Sequence, residues 1–326
     1  MRLYKFHGKP QNPAVQEHAK KKASPWKLGG LTPWKLSKRV YEEIWEDEVL
    51  TRSAALSFYF VAALVPMLFF VITVLGFFAQ SHNLESSLFN YAGRFLPPDA
   101  FTLLQKTLKE IARNATGLKL ATGLVLALWS GSGGLSSVMD ALNRCYHVKD
   151  GRPYWKQKLI SIWLTIAIAA LTIIALVIVL YGGGIAQFVG AHTGLSTITV
   201  LAWRVVQWPL AVFFVVWAFA LMYYFGPDTE QQWSWITPGS LFGVLLWIGA
   251  SIGFRVYLHF SNSYSKTYGS LGAVIILLYW LFITGLAILI GGEINAEIEN
   301  AAAKKGVPEA KEKGEKRPGT KERRAA

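Results

Sequence analysis

The chain has 326 residues, 52% of them hydrophobic and 16% charged, and a formal net charge of +13. A soluble globular domain carries about 25% charged residues, so a basic soluble protein or nucleic-acid binder is a poor description. The charge is instead segregated: residues 1–52 hold 11 Lys and Arg, residues 299–326 hold nine, and long apolar runs lie between. Cys145 is the single cysteine, which excludes an intrachain disulfide and a cysteine-based metal cluster.

In chain order, residues 1–52 read as a basic cytoplasmic tail ending in a helix over Thr32–Leu50. Thr32 is placed to cap it and Pro33 to open its first turn. Leu36, Val40, Ile44 and Trp45 are expected on one face, as in an amphipathic helix lying on the membrane surface. A PWKL repeat (Pro25–Leu28 and Pro33–Leu36) precedes and enters this helix.

Crossing a bilayer core takes about 20 apolar residues as helix. Six runs qualify: Ala54–Ala79, Leu118–Leu142, Leu159–Tyr181, Ile198–Tyr224, Ile236–Phe260 and Gly269–Ile294. The first begins too far into the chain, and is too long, for a cleaved signal peptide. The expected fold is therefore all-α: a polytopic membrane protein with a six-helix domain over residues 53–298. Lys and Arg in the flanks number 25 on the side of both termini and five on the other. The positive-inside rule places both termini in the cytoplasm.

The outer segment 80–117 has helical spacing at Leu84, Leu88, Tyr91 and Phe95, and again at Phe101, Leu104, Leu108 and Ile111. Pro97 and Pro98 separate the two, which predicts a helix–break–helix cap. Residues 299–326, mostly Lys, Glu, Gly, Pro and Ala beyond Lys304, read as a disordered basic cytoplasmic tail.

Within the spans, Ser130, Ser132, Gly133, Gly134 and Ser136 form a small-residue stretch midway along the second. It supports either close helix packing or an unwound segment lining a pathway. Arg204 and Arg255 interrupt apolar runs toward the outer ends of their spans. They are either snorkelling arginines or a basic site for an anionic headgroup or phosphate, with His259 and Lys266 near its mouth. Glu293 and Asn295 close the sixth span, either as an interfacial cap or as proton- or cation-coupling groups. Asp140, Asn143 and Arg144 fall at the same depth on the second span, within reach of a carboxylate–arginine contact.

The six histidines form no HExxH pattern and no Walker A sequence is present. The expectation is a protein that is no enzyme and binds no cofactor or metal. Its basic tails meet anionic lipid headgroups rather than nucleic acid.

Five motifs together resemble one family. Ala54-Ala55-Leu56-Ser57-Phe58-Tyr59 with Leu64-Val65-Pro66 is similar to its opening, with Ala63 where that family usually has serine. Ala141-Leu142-Asn143-Arg144-Cys145-Tyr146 with Arg152 follows, then Tyr224-Phe225-Gly226-Pro227 with Trp235 and Pro238-Gly239. Tyr268-Gly269-Ser270-Leu271-Gly272 and Gly292-Glu293-Ile294-Asn295-Ala296 complete the order. The chain thus resembles the YihY/virulence factor BrkB family of bacterial inner-membrane proteins over roughly residues 53–298. The resemblance implies six helices in the cytoplasmic membrane and a role in the envelope. That role would be moving a lipid or other anionic component, or acting as a non-transporting scaffold with envelope protein partners. It also implies that the ribonuclease BN label once given to the family is mistaken.

Overall fold

The computed structural model describes residues 23–78, 117–193, 196–260 and 270–318. The outer loop 80–117 expected to form a cap lies outside them but for Gly117, as does Lys266; the side chains of Arg204 and His259 lie outside the described part of their helices.

All regular structure among these residues is helical. A 3-10 turn over Pro25–Gly30 leads to α1 (Pro33–Glu46). Thr32 caps α1 as its spacing predicts, its side chain accepting from the Lys35 N–H at 3.3 Å. Asp47 and Glu48 then turn the chain into α2 (Val49–Phe78). There follow α3 (Gly117–Cys145), α4 (Tyr154–Thr193), α5 (Ser196–Phe225), α6 (Trp233–Phe260) and α7 (Ser270–Lys304). Each of the helices α2 to α7 packs on the next and α7 returns to α2, closing a ring.

Four of them, α4 to α7, contain described stretches long and apolar enough to cross a membrane, and α2 adds a shorter apolar stretch, Val49–Ala63. Ile166, Ile173, Val205, Phe213, Leu245 and Ile252 are exposed on the flanks of the ring. Such a surface is costly in water and suited to lipid.

The main buried core joins the ends of the helices on one side: Val49 and Leu56 of α2, Leu142 of α3, Phe219 and Tyr223 of α5, Ile236 of α6 and Leu289 of α7. A second cluster lies beyond it. Leu36 and Val40 of α1 bury against Ile298 and Ala302 of α7, together with Val307 and Ala310. The first PWKL copy forms the 3-10 turn, and its Gly29, at φ +60°, lies so close to α7 that a Cβ would sit 2.3 Å from the Ile298 carbonyl oxygen.

Three expectations change. Trp45 is not on the face shared by Leu36 and Val40. It is 60% exposed, on the opposite stripe with Trp34 and Tyr41, because α1 turns its Leu36 and Val40 side to α7. Helix α7 runs past the expected domain end at residue 298, to Lys304. Residues 305–318, expected to be disordered, are a packed strap: Val307 and Ala310 are fully buried and Lys311 is 3% exposed. The strap's lysines find buried carboxylates far away in sequence, which composition does not reveal.

Candidate functional site

The charges meet where the strap crosses the helix ends. Asp47, at the sharp α1–α2 junction, is 1% exposed. Its carboxylate is held by Arg144 Nε at 3.1 Å and by His147 Nε2 at 3.0 Å. His147 also lies 3.4 Å from Glu43 of α1. Lys313 of the strap bridges Glu43, at 2.6 Å, and Glu297 of α7, at 3.0 Å. Arg39 reaches the other oxygen of Glu297 at 3.5 Å. Burial pushes the Asp47 carboxyl above its ordinary value, against the pull of His147 and Arg144. Burial pulls Lys313 down, but Glu43 and Glu297 more than offset it and its ammonium stays above its ordinary value.

The ligand atoms of Glu43, Asp47 and His147 lie within 4.8 Å of one another. Arg144 and Lys313 already neutralise those carboxylates, so a metal would have to displace both. Around Lys313 a crevice of about 300 Å³ opens between Arg39, Glu42, Asn300, Lys304 and Glu312.

Two further groups fasten the same end. Arg152 pairs with Asp150 at 2.6 Å and lies 3.7 Å from Asp228. Lys316 of the strap pairs with Asp228. Burial raises both carboxyls, but hydrogen bonds from Arg152 to Asp150, and from Lys316 and the Gly151 N–H to Asp228, win and leave each below its ordinary value. Deeper, Lys311 and Glu299 form a pair at 3.3 Å whose side chains are 2% and 3% exposed. Burial pulls the Lys311 ammonium down despite Glu299.

Beneath this layer α7 packs tightly. Asn295 Oδ1 accepts from the Gly239 N–H at 2.7 Å. The Tyr223 hydroxyl donates to the Ile288 carbonyl at 2.8 Å, against Gly291, where a Cβ would meet that hydroxyl at 2.2 Å. Glu293 is fully buried. Neither of its carboxylate oxygens has a hydrogen-bond partner among the described residues. Cys145 lies beside it, but its thiol points to the Ala141 carbonyl at 3.4 Å.

The other sequence-derived candidates fall into three places. Ser130, Ser132, Gly133, Gly134 and Ser136 lie in one continuous helix, with no unwound segment. Ser132 and Ser136 donate back to the carbonyls of Trp129 and Ser132. Gly134 meets the Phe60 ring of α2, the close packing that small residues allow. Asp140 is exposed and accepts from Gln157 at 2.9 Å. Asn143 joins the Asp150–Asp228 group. Arg144 does find a carboxylate, Asp47 and not Glu293. Arg255 is exposed on α6.

Sequence reasoning missed Glu43, Asp47, His147, Glu297, Lys311 and Lys313. The available signal was the pair Glu43 and Asp47, one helical turn apart beside the first span.

The chain matches the family model described as virulence factor BrkB over residues 40–316. It is 29% identical over 259 residues to YfkH of Bacillus subtilis, a protein named as ribonuclease-like, covering 79% of this chain and 93% of that one. It is 26% identical over 260 residues to a UPF0761 membrane protein of Stenotrophomonas maltophilia, covering 78% and 58%. It is 27% identical over 270 residues to one of Albidiferax ferrireducens, covering 81% and 62%. The chain thus spans about three fifths of the length of those UPF0761 relatives. No solved structure matches it. With apolar membrane-length helices and a family match over most of its length, the chain belongs to the virulence factor BrkB family of membrane proteins.

Proposed function

We propose that this protein is a six-span transporter of the bacterial cytoplasmic membrane. It moves a lipid or another anionic envelope component along a pathway whose cytoplasmic end is closed by ion pairs. It is not an enzyme. The observation that carries the reading is the clasp of ion pairs joining α1, α3, α7 and the strap through Asp47, Arg144, His147, Glu43, Lys313 and Glu297. Replacing buried ion pairs by apolar residues is often neutral or stabilising, so stability alone is a weak reason to keep them. Charge pairs that exchange protein partners for water suit a closure that must reopen. In this reading both termini are cytoplasmic, and Arg204 and Arg255 meet the anionic group of the substrate near the outer face.

The test is lipid exchange in proteoliposomes, with fluorescent phospholipid and a membrane-impermeant quencher. Transport predicts exchange faster than in protein-free vesicles, and its loss in an Arg204→Leu/Arg255→Leu protein that remains folded. Full exchange in that double variant would remove the two arginines from the pathway. No exchange with any headgroup, with or without a proton gradient, would sink the lipid version.

A second reading, a non-transporting envelope scaffold, is favoured by the exposed stripe of Trp34, Tyr41 and Trp45 on α1, which offers a docking surface. A stable protein partner crosslinked in intact membranes supports it.

A further inference from the structure

Among the buried carboxylates described at this end, Glu293 is the one that neither an ion pair nor a hydrogen bond engages. It lies in the packed layer beneath the clasp, fully buried, and neither oxygen is hydrogen-bonded among the described residues. On one side Gly292 presses on Leu142 and Cys145 of α3; on another Gly291 presses on the Tyr223 hydroxyl of α5. An ionised carboxylate in such a place is strongly disfavoured unless it is paired. The cations nearby are committed elsewhere: Arg144 to Asp47, and Lys313 to Glu43 and Glu297.

We infer that Glu293 is a proton-binding site, protonated while the cytoplasmic clasp is closed and giving up its proton to the cytoplasm through Asp47 and His147 when the clasp opens. The inference rests on the transport reading for its purpose but not for its detection. The step is a simple transfer. The Glu293 O–H bond breaks and the Asp47 carboxylate takes the proton; Asp47 then gives it to Nε2 of a neutral His147, which releases its Nδ1 proton to water.

The groups facing Glu293 set the direction of coupling. They are Glu43 of α1, Asp47 at the α1–α2 junction, Cys145 of α3, Tyr223 of α5 and Lys313 of the strap. Glu297 of its own helix follows one turn on. A charge on Glu293 would join the anions Asp47 and Glu43 and repel both. It would also demand water where the closed packing leaves none. Deprotonation therefore favours opening, and closure favours proton uptake. His147 is the way out, since it touches Asp47 and its side chain is 31% exposed.

The test is infrared spectroscopy of the full-length protein in phosphatidylethanolamine–phosphatidylglycerol vesicles across a pH series. The expected result is a protonated-carboxyl C=O band present at neutral pH, lost on alkalinisation and absent in Glu293→Gln. Glu293→Asp should keep a band at a shifted frequency, which guards against a Gln variant that misfolds. Asp47→Asn removes a neighbouring negative charge and should weaken the band at neutral pH. Identical carboxyl spectra for the parent and Glu293→Gln, both folded, would overturn the proposal. Lipid exchange in the same vesicles separates the two readings. A band without exchange supports the proton site and counts against transport. Exchange without a band overturns the proton site and leaves transport standing.

Discussion

Asn143 holds the backbone of Asp228 across the end of the bundle: its Oδ1 accepts the Asp228 N–H at 2.6 Å, while its Nδ2 donates to Asp150 at 3.1 Å. One side chain at the end of α3 thus fixes both the α3–α4 and the α5–α6 loops. Asn143→Ala strands a backbone donor and removes a donor from Asp150. The expected loss is about 1–3 kcal/mol, read as a lower melting temperature in detergent. Asn143→Asp keeps the acceptor but sets a second anion against Asp150, and should not restore stability.

Two adjacent glycines of α3 should respond in opposite directions. A Cβ on Gly134 would lie 3.1 Å from the Phe60 ring, whereas one on Gly133 meets nothing within 4 Å. Gly134→Val should destabilise by about 1–3 kcal/mol through overpacking. Gly133→Ala should be neutral or stabilise by up to about 1 kcal/mol through helix propensity. Thermal melts of both variants check the pair, and equal destabilisation would contradict the packing described.

Lys313→Ala leaves Glu43 and the 3%-exposed Glu297 without their shared cation. Breaking a buried pair costs about 3–5 kcal/mol, and here the loss should release the strap. Limited proteolysis should then cut beyond Lys304 in the variant and spare the parent. Arg317→Ala is the control: its pair with Glu230 is 72% and 61% exposed and contributes at most about 1 kcal/mol.

Acid should act on the two carboxylate groups in opposite senses. Asp150 and Asp228 have folded-state values below the ordinary 3.8. Their contribution is present above about 3.8 and is lost as pH falls through the folded values. Asp47 has a folded value above 3.8, so its contribution is full below 3.8 and is lost as pH rises through that folded value. Mild acid therefore relieves Asp47 before it discharges Asp150 and Asp228. The protection factor of the Gly151 amide, which donates to Asp228 at 2.8 Å, should hold from neutral pH to about 4 and fall below it. Asp228→Asn should flatten that dependence.

The stripe on α1 separates the two functional readings. A photo-crosslinking residue at Tyr41 should yield lipid adducts if α1 rests on headgroups, as the transport reading expects. A single discrete protein adduct would favour the scaffold.

Much of the scaffold was legible because apolar run length and helix caps are local properties. Each of the six runs lies largely within one long helix, and the Thr32 cap falls where its spacing places it. The site was less legible because its pairings are remote. Lys313 and Glu43 are 270 positions apart, and Lys316 and Asp228 are 88. A run such as Lys311–Arg317 looks solvated until its partners are known. Arg204 and Arg255 stood out because charge in an apolar run is conspicuous. Glu293 stood out less, because a carboxylate at a span's edge is ordinary until its burial is seen.

The strap follows all six long helices along the chain, yet it supplies cations to α1 and α7 and to the α5–α6 loop. The fastening of these elements thus depends on residues that come after every one of them in the chain: a chain cut short before Lys311 would keep all the helices but leave Glu43, Glu297, Glu299 and Asp228 without the strap's cations.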